Sequence, residues 1–259
     1  GYNASLQNLA TLSNPLLGGA VALMGWFYPF FIPLLALPVA YFVAFHLEHT
    51  DPANRRQSLA GYVSNAAKAL RNRRMVALFL GSIVSVMISF GVLMVYLSLL
   101  MKQRFDASPL EIGIVVASSS IIATFVSTQA ARMLDYLTHR QMIVLGLVLS
   151  AIGVSLNLGM PSLWLLLLPG LLKGISQGIM NPPLYTLILE GASAENRAGI
   201  MALNGSIHRI GQTIAPPFFG LCYALGGMNA VFGIGAAMLL LCAAAVWVML
   251  GDTVEKTHG

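Results

Sequence analysis

Lys173, Gln177 and Asn181 recur every four residues inside one long apolar stretch of the chain. Asn204, His208 and Gln212 repeat that spacing inside the next stretch, with Arg209 beside them. Four-residue spacing places each set on one face of a helix. Amides, an imidazole and two cations so arranged can hydrogen-bond and charge-pair with a small polar ligand, and His208 can exchange a proton near neutral pH. A charge at the centre of a bilayer costs about 2.5–3.5 kcal/mol on insertion scales. Lys173 and Arg209 each lie about ten residues, some 15 Å of helix, from an end of their stretch, so both are expected to face a cavity or a partner. The alternative for all seven residues is hydrogen bonding between helices without ligand contact. Asn3, Gln7, Thr11 and Asn14 form a further polar row near the start. Metal and nucleophile chemistry finds little support. Of the histidines only His46 and His49, beside Glu48, have ligand spacing, and Cys222 and Cys242 stand alone in apolar surroundings. No cofactor and no metal are expected, and a polytopic membrane enzyme is the rival reading from another class.

The elements that must hold these residues follow from composition. Of 259 residues 57% are hydrophobic and 9% charged, against about 25% charged in a soluble domain; the mean hydropathy is +0.79. Lipid is therefore the expected solvent. A helix needs about 20 apolar residues to cross the hydrocarbon, and eight stretches qualify: roughly 2–23, 27–47, 76–101, 110–133, 141–159, 162–189, 199–225 and 229–250. Turn signals separate them, as at Met24-Gly25-Trp26, Gly159-Met160-Pro161 and Gly226-Gly227. None alternates like a barrel strand, so the fold is expected to be an all-α membrane bundle. Gly170, Gly174 and Gly178 form a small-residue row that lets a neighbouring helix come close, and Pro182-Pro183 is expected to kink its span.

Cationic residues set the orientation. Arg55, Arg56, Lys68, Arg71, Arg73 and Arg74 lie in the 48–75 loop; Arg132, Arg140, Arg197 and Lys256 fall on the same side, against Lys102 and Arg104 on the other. By the positive-inside rule that loop and the C-terminus are cytoplasmic. The net charge of +5 is thus a topology signal, and no nucleic-acid partner is expected. Within the loop Leu59, Tyr62, Val63, Ala66 and Leu70 share a face, the pattern of a helix lying on the membrane surface, with a solvated linker as the alternative.

Thr11-Leu-Ser-Asn-Pro15-Leu-Leu-Gly18 aligns without a gap on Thr213-Ile-Ala-Pro-Pro217-Phe-Phe-Gly220, and the same offset pairs Gly25 with Gly227 and Phe30 with Phe232. Spans one and two thus repeat as seven and eight, a parallel repeat of six spans. The expected organisation is 1–48 as the last two helices of an N-terminal half, 49–75 as a cytoplasmic linker, 76–251 as a complete six-helix half and 252–259 as a cytoplasmic tail. Four spans are expected upstream of Gly1, so eight of twelve helices are present.

The chain resembles the major facilitator superfamily from its fifth transmembrane helix onward. Asn14-Pro15-Leu-Leu-Gly18-Gly19 resembles the fifth-helix motif of its drug:proton antiporters, with Asn14 where Gly is usual. Ala131-Arg-Met-Leu-Asp135-Tyr-Leu-Thr-His-Arg140 resembles the family's cytoplasmic loop motif, keeping Asp135 and Arg140 but lacking its glycines. Ala194-Glu-Asn-Arg-Ala-Gly199 and Arg209-Ile-Gly-Gln-Thr-Ile-Ala-Pro216 resemble bacterial multidrug exporters. The resemblance implies a twelve-helix bundle in a bacterial inner membrane, working by alternating access. It implies proton-coupled export of small amphipathic compounds, with Asn14, Pro15, Gly18, Gly19, Asp135, Arg140, Pro216 and Gly220 in gating or packing roles. The substrate-binding candidates are Lys173, Gln177, Asn181, Asn204, His208, Arg209 and Gln212, and the partners are a small molecule, the proton, the bilayer and the missing helices of the same chain. The interiors of spans three to seven hold no Asp or Glu; the resemblance puts coupling carboxylates in the N-terminal half. Two alternatives stand beside this reading: an anionic organic metabolite held by Lys173 and Arg209, and no activity in the 259 residues alone.

Overall fold

The structure is a computed structural model describing residues 17–25, 27–46, 71–192 and 196–251, and the described residues are helical, joined by turns. The Asn14-Pro15 motif, the expected surface helix, Glu48, His49 and the C-terminal tail lie outside the described residues. A short helix, α1, covers 17–22. The second expected span opens as a 3-10 helix, Tyr28–Leu35, where Pro29 and Pro33 remove backbone donors, and becomes α-helical over Ala36–His46; together these form α2.

Five longer helices make the bundle. Helix α3, Arg73–Phe105, begins at Asn72, whose side chain accepts the Arg74 N–H at 2.9 Å. It runs through a π-helical stretch at Ile88–Leu97 and stops at Asp106, which takes the left-handed conformation with φ 49°. Helices α4, Pro109–Met133, and α5, His139–Leu156, both start in capping boxes, Ser108 with Glu111 and Thr138 with Gln141. Helix α6, Leu167–Glu190, runs through Pro182 and Pro183 without an end. Helix α7, Arg197–Leu250, is two arms joined at Gly226 and Gly227, where φ and ψ leave the helical range. Gly25 and Gly227, aligned in the sequence, both take positive φ, 155° and 63°, each in a turn where a side chain would be disfavoured.

By length and apolar composition α3, α4, α7 and the stretch His139–Gly159 can cross a membrane. Helix α6 is long enough, but Lys173, Gln177 and Asn181 make it more polar. Packing is tight along the expected glycine row: a Cβ on Gly170 would stand 3.0 Å from Ser118 Oγ, and one on Gly178 2.6 Å from Val126 Cβ, so α4 lies directly on α6. Helix α5 covers another face of α6, where a Cβ on Gly146 would meet Met180 Cβ at 2.7 Å. The second arm of α7 lies against α3 and α5, since Gly235 faces Val92, Ile88 and Val154. Ile88, Val92, Leu147, Phe219, Phe232 and Val246 are fully enclosed between them. Outward-facing Leu225, Leu241 and Val248 are more than half exposed, an apolar exterior that suits lipid. Helix α1 meets the bundle at Gly19, where a Cβ would come 2.5 Å from the Pro109 carbonyl oxygen; only glycine permits that approach.

Candidate functional site

A cavity of about 520 Å³ opens between α3, α4, α6 and the first arm of α7. Helix α3 lends it Ser82, Ser85 and Ser89, and α4 lends Ser120, Thr124 and Ser127. Gln177, Asn181 and Tyr185 enter from α6 and His208 from α7, while Phe90 and Met180 give apolar surface. Among the described residues the wall holds no Asp, Glu, Lys or Arg. Its size and its mixture of apolar and polar groups suit a small organic molecule.

The hydroxyls are not equivalent donors, because a hydroxyl has one proton. Ser89 donates to the Ser85 carbonyl at 2.9 Å, Thr124 to the Ser120 carbonyl at 2.9 Å and Ser127 to the Thr124 carbonyl at 2.8 Å. Such back-bonding satisfies the hydroxyl within its own helix and leaves its lone pairs facing the cavity. Gln177 Nε2 reaches Ser89 Oγ at 3.4 Å, tying α6 to α3. Ser82 Oγ donates to Asn204 Oδ1 at 2.9 Å and lies 2.6 Å from His208 Nε2.

The sequence candidates therefore separate. Gln177, Asn181 and His208 line the cavity. Asn204 is buried one step behind the wall, on Ser82. Lys173 is 4% exposed and donates to Ser150 Oγ at 3.1 Å, lodged between α6 and α5. Arg209 is exposed and turned along its own helix to Gln212 Oε1 at 3.1 Å. Of the motif residues, Asp135 is exposed in the turn after α4, and the Arg140 guanidinium stacks 3.7 Å from the centroid of Trp247, fastening α5 to the end of α7. A Cβ on Gly220 would approach Tyr96 Oη at 3.3 Å, and none would meet anything within 4 Å at Gly18; Pro216 lies inside the first arm of α7. The hydroxyl rows were not among the sequence candidates. Their signal is there: Ser82, Ser85 and Ser89 fall at i, i+3 and i+7, and Ser120, Thr124 and Ser127 at i, i+4 and i+7, each on one helical face.

An apolar bundle enclosing a polar, uncharged cavity defines a multi-pass helical membrane protein. The chain belongs to the Major Facilitator Superfamily, whose family model matches residues 78–259. It is similar to the multidrug resistance protein MdtG of Salmonella dublin, 22% identical over 242 residues, covering 91% of this chain and 59% of the relative. MdtG of Dickeya zeae is 23% identical over 245 residues, covering 92% and 60%. Multidrug resistance protein 2 of Bacillus subtilis is 23% identical over 254 residues, covering 92% and 63%. The chain thus spans about three-fifths of the length of these relatives.

Proposed function

We propose that the chain is the C-terminal part of a secondary transporter that exports small amphipathic compounds by alternating access, driven by proton entry. The observation carrying this reading is the cavity: an uncharged, hydroxyl- and amide-lined space inside one half of a superfamily bundle. The names of the relatives support drug export as the direction and substrate class. Upstream helices of the same chain complete the cavity between two halves, so the 259 residues alone are inactive. The reading puts the chain in a bacterial inner membrane with the 49–75 loop and the C-terminus cytoplasmic, an orientation that the distribution of cations supports. The anionic-metabolite alternative needs Lys173 or Arg209 at the substrate, and neither lines this cavity among the described residues.

The test uses the full-length parent chain in proteoliposomes under an imposed pH gradient, following ethidium and citrate in wild type, Lys173→Ala and Arg209→Ala. Uphill ethidium movement that survives both substitutions is the expected result. Citrate movement abolished by both would replace the drug reading with the anionic one.

A further inference from the structure

Ser82 has one hydroxyl proton and two neighbours within hydrogen-bond distance. That proton goes to Asn204 Oδ1, an acceptor buried with no exposure to spare (3%). His208 Nε2, 2.6 Å from the same oxygen, must then be the donor. The pair Asn204–Ser82 thus fixes the Nε2–H tautomer and leaves Nδ1 as the ring's remaining position for a proton. His208 itself lines the same cavity as Ser89, Thr124 and Ser127, whose own protons are spent on helix carbonyls.

The back-bonded oxygens of Ser89, Thr124 and Ser127 accept but do not donate, so beside the amides of Gln177 and Asn181 they make a surface that can receive a ligand's N–H donors. A proton on Nδ1 turns the ring into a cationic donor, which takes up those acceptors and repels a cationic ligand. We infer that His208 is the proton-exchange residue of this half: its Nδ1 and a cationic, donor-bearing substrate occupy the cavity in mutual exclusion, held in register by Asn204 and Ser82. The inference rests on the export reading above and specifies its substrate class and its coupling.

Few other ionisable groups face His208. Arg209 follows it on α7 and is turned to Gln212. Helix α6 contributes Tyr185 to the wall, and its Lys173 is engaged with Ser150 on α5. Helices α3 and α4 contribute only hydroxyls and apolar groups along the cavity. At the start of α3, Arg73 donates to the Val248 carbonyl and Arg74 pairs with Glu190. Among the lining residues the imidazole of His208 is therefore the side chain best suited to exchanging a proton.

Exclusive binding of one proton or one ligand is reciprocal: affinity falls about tenfold per pH unit below the histidine's titration, and ligand binding expels a proton. The experiment uses the full-length parent chain in detergent, with ethidium as the probe, between about pH 5 and pH 8. Wild type is expected to lose ethidium affinity with that slope and to release a proton on binding. His208→Gln is expected to lose the slope, whatever its affinity at high pH. Nitrogen-15 spectra of histidine-labelled wild type, with the His208 signal assigned by its loss in the variant, are expected to show the Nε2–H tautomer. An unchanged slope in His208→Gln, or ethidium binding without proton release in wild type, overturns the inference and leaves export standing. A neutral ring carrying its proton on Nδ1 overturns it whatever the dye does. Absence of ethidium binding and transport in wild type overturns the export reading and the inference together.

Discussion

Gly174→Ala places a single methyl group at the closest approach of α4 and α6. A Cβ there would stand 2.8 Å from Ile122 Cβ and 3.1 Å from its Cγ2, and closer still to the Ser119 carbonyl oxygen. Ordinary contact begins at 3.4 Å, so the helices must part by about 1 Å, as a backbone carbonyl cannot swing away like a side-chain tip. Parting at Gly174 also loosens the contacts one turn to either side, at Gly170 on Ser118 and Gly178 on Val126. Overpacking of this kind costs about 1–3 kcal/mol, while replacing a helical glycine by alanine returns about 0.5–1 kcal/mol. The net expectation is a loss of about 1–2 kcal/mol. Gly233→Ala is the matched control: its Cβ meets nothing within 4 Å, so only the helical gain remains. Reversible unfolding of the full-length parent in mixed micelles, driven by dodecyl sulfate, measures both. Because α4 and α6 both carry walls of the cavity, Gly174→Ala should also weaken ethidium binding, and Gly233→Ala should not. If Gly174→Ala is as stable as Gly233→Ala, the glycine row is not a close-packed seam and the argument fails.

Lys173→Met should leave stability unchanged or raise it by about 1–4 kcal/mol, since a buried cation with one neutral partner gives way to a well-packed apolar chain of similar length; a loss of more than about 2 kcal/mol in the same unfolding assay would assign Lys173 a pairing role absent from this structure. Thr124→Ala removes one acceptor from the wall, and it should weaken ethidium binding by about fivefold, the equivalent of one hydrogen bond, with little change in unfolding, because its donor serves its own helix. At the end of α3, the Lys102 side chain, hydrogen-bonded to Asp106 at 2.5 Å, holds that carboxyl below its ordinary range. A lowered folded value means the contribution is present above the unfolded value and is lost as pH falls through the folded one; Asp106→Asn should abolish that acid-side dependence in carbon-13 titration and unfolding curves, and an unchanged acid limb would refute it.

Helix positions were legible in the sequence because lipid imposes a length and a composition on every span, and the turns carry Gly and Pro. The expected breaks at 102–109 and at Gly226-Gly227 coincide with the end of α3 and the joint of α7. The glycine row was legible for the same reason: a four-residue repeat of the smallest residue has a purely steric meaning. The cavity was only half legible. Serine and threonine inside a span can satisfy themselves on the preceding turn, so their presence alone does not say that they face a cavity; their phase relative to the neighbouring helices does, and that is a tertiary fact.

The intramembrane cations show how a correct cost can point to the wrong neighbour. Insertion energetics require Lys173 and Arg209 to leave lipid or find partners, but do not choose the partner. A four-residue step turns a helix by 400°, that is 40° past a full turn. From Asn181 back to Lys173 the row therefore drifts about 80°, enough to leave Asn181 and Gln177 on the cavity and swing Lys173 to Ser150 on α5. Arg209 differs from His208 by a single residue, about 100° of rotation, and so stands exposed while the imidazole reaches the cavity. Phase, more than charge, thus decides which side chains line this cavity, and here it leaves a wall of hydroxyls, amides and one imidazole.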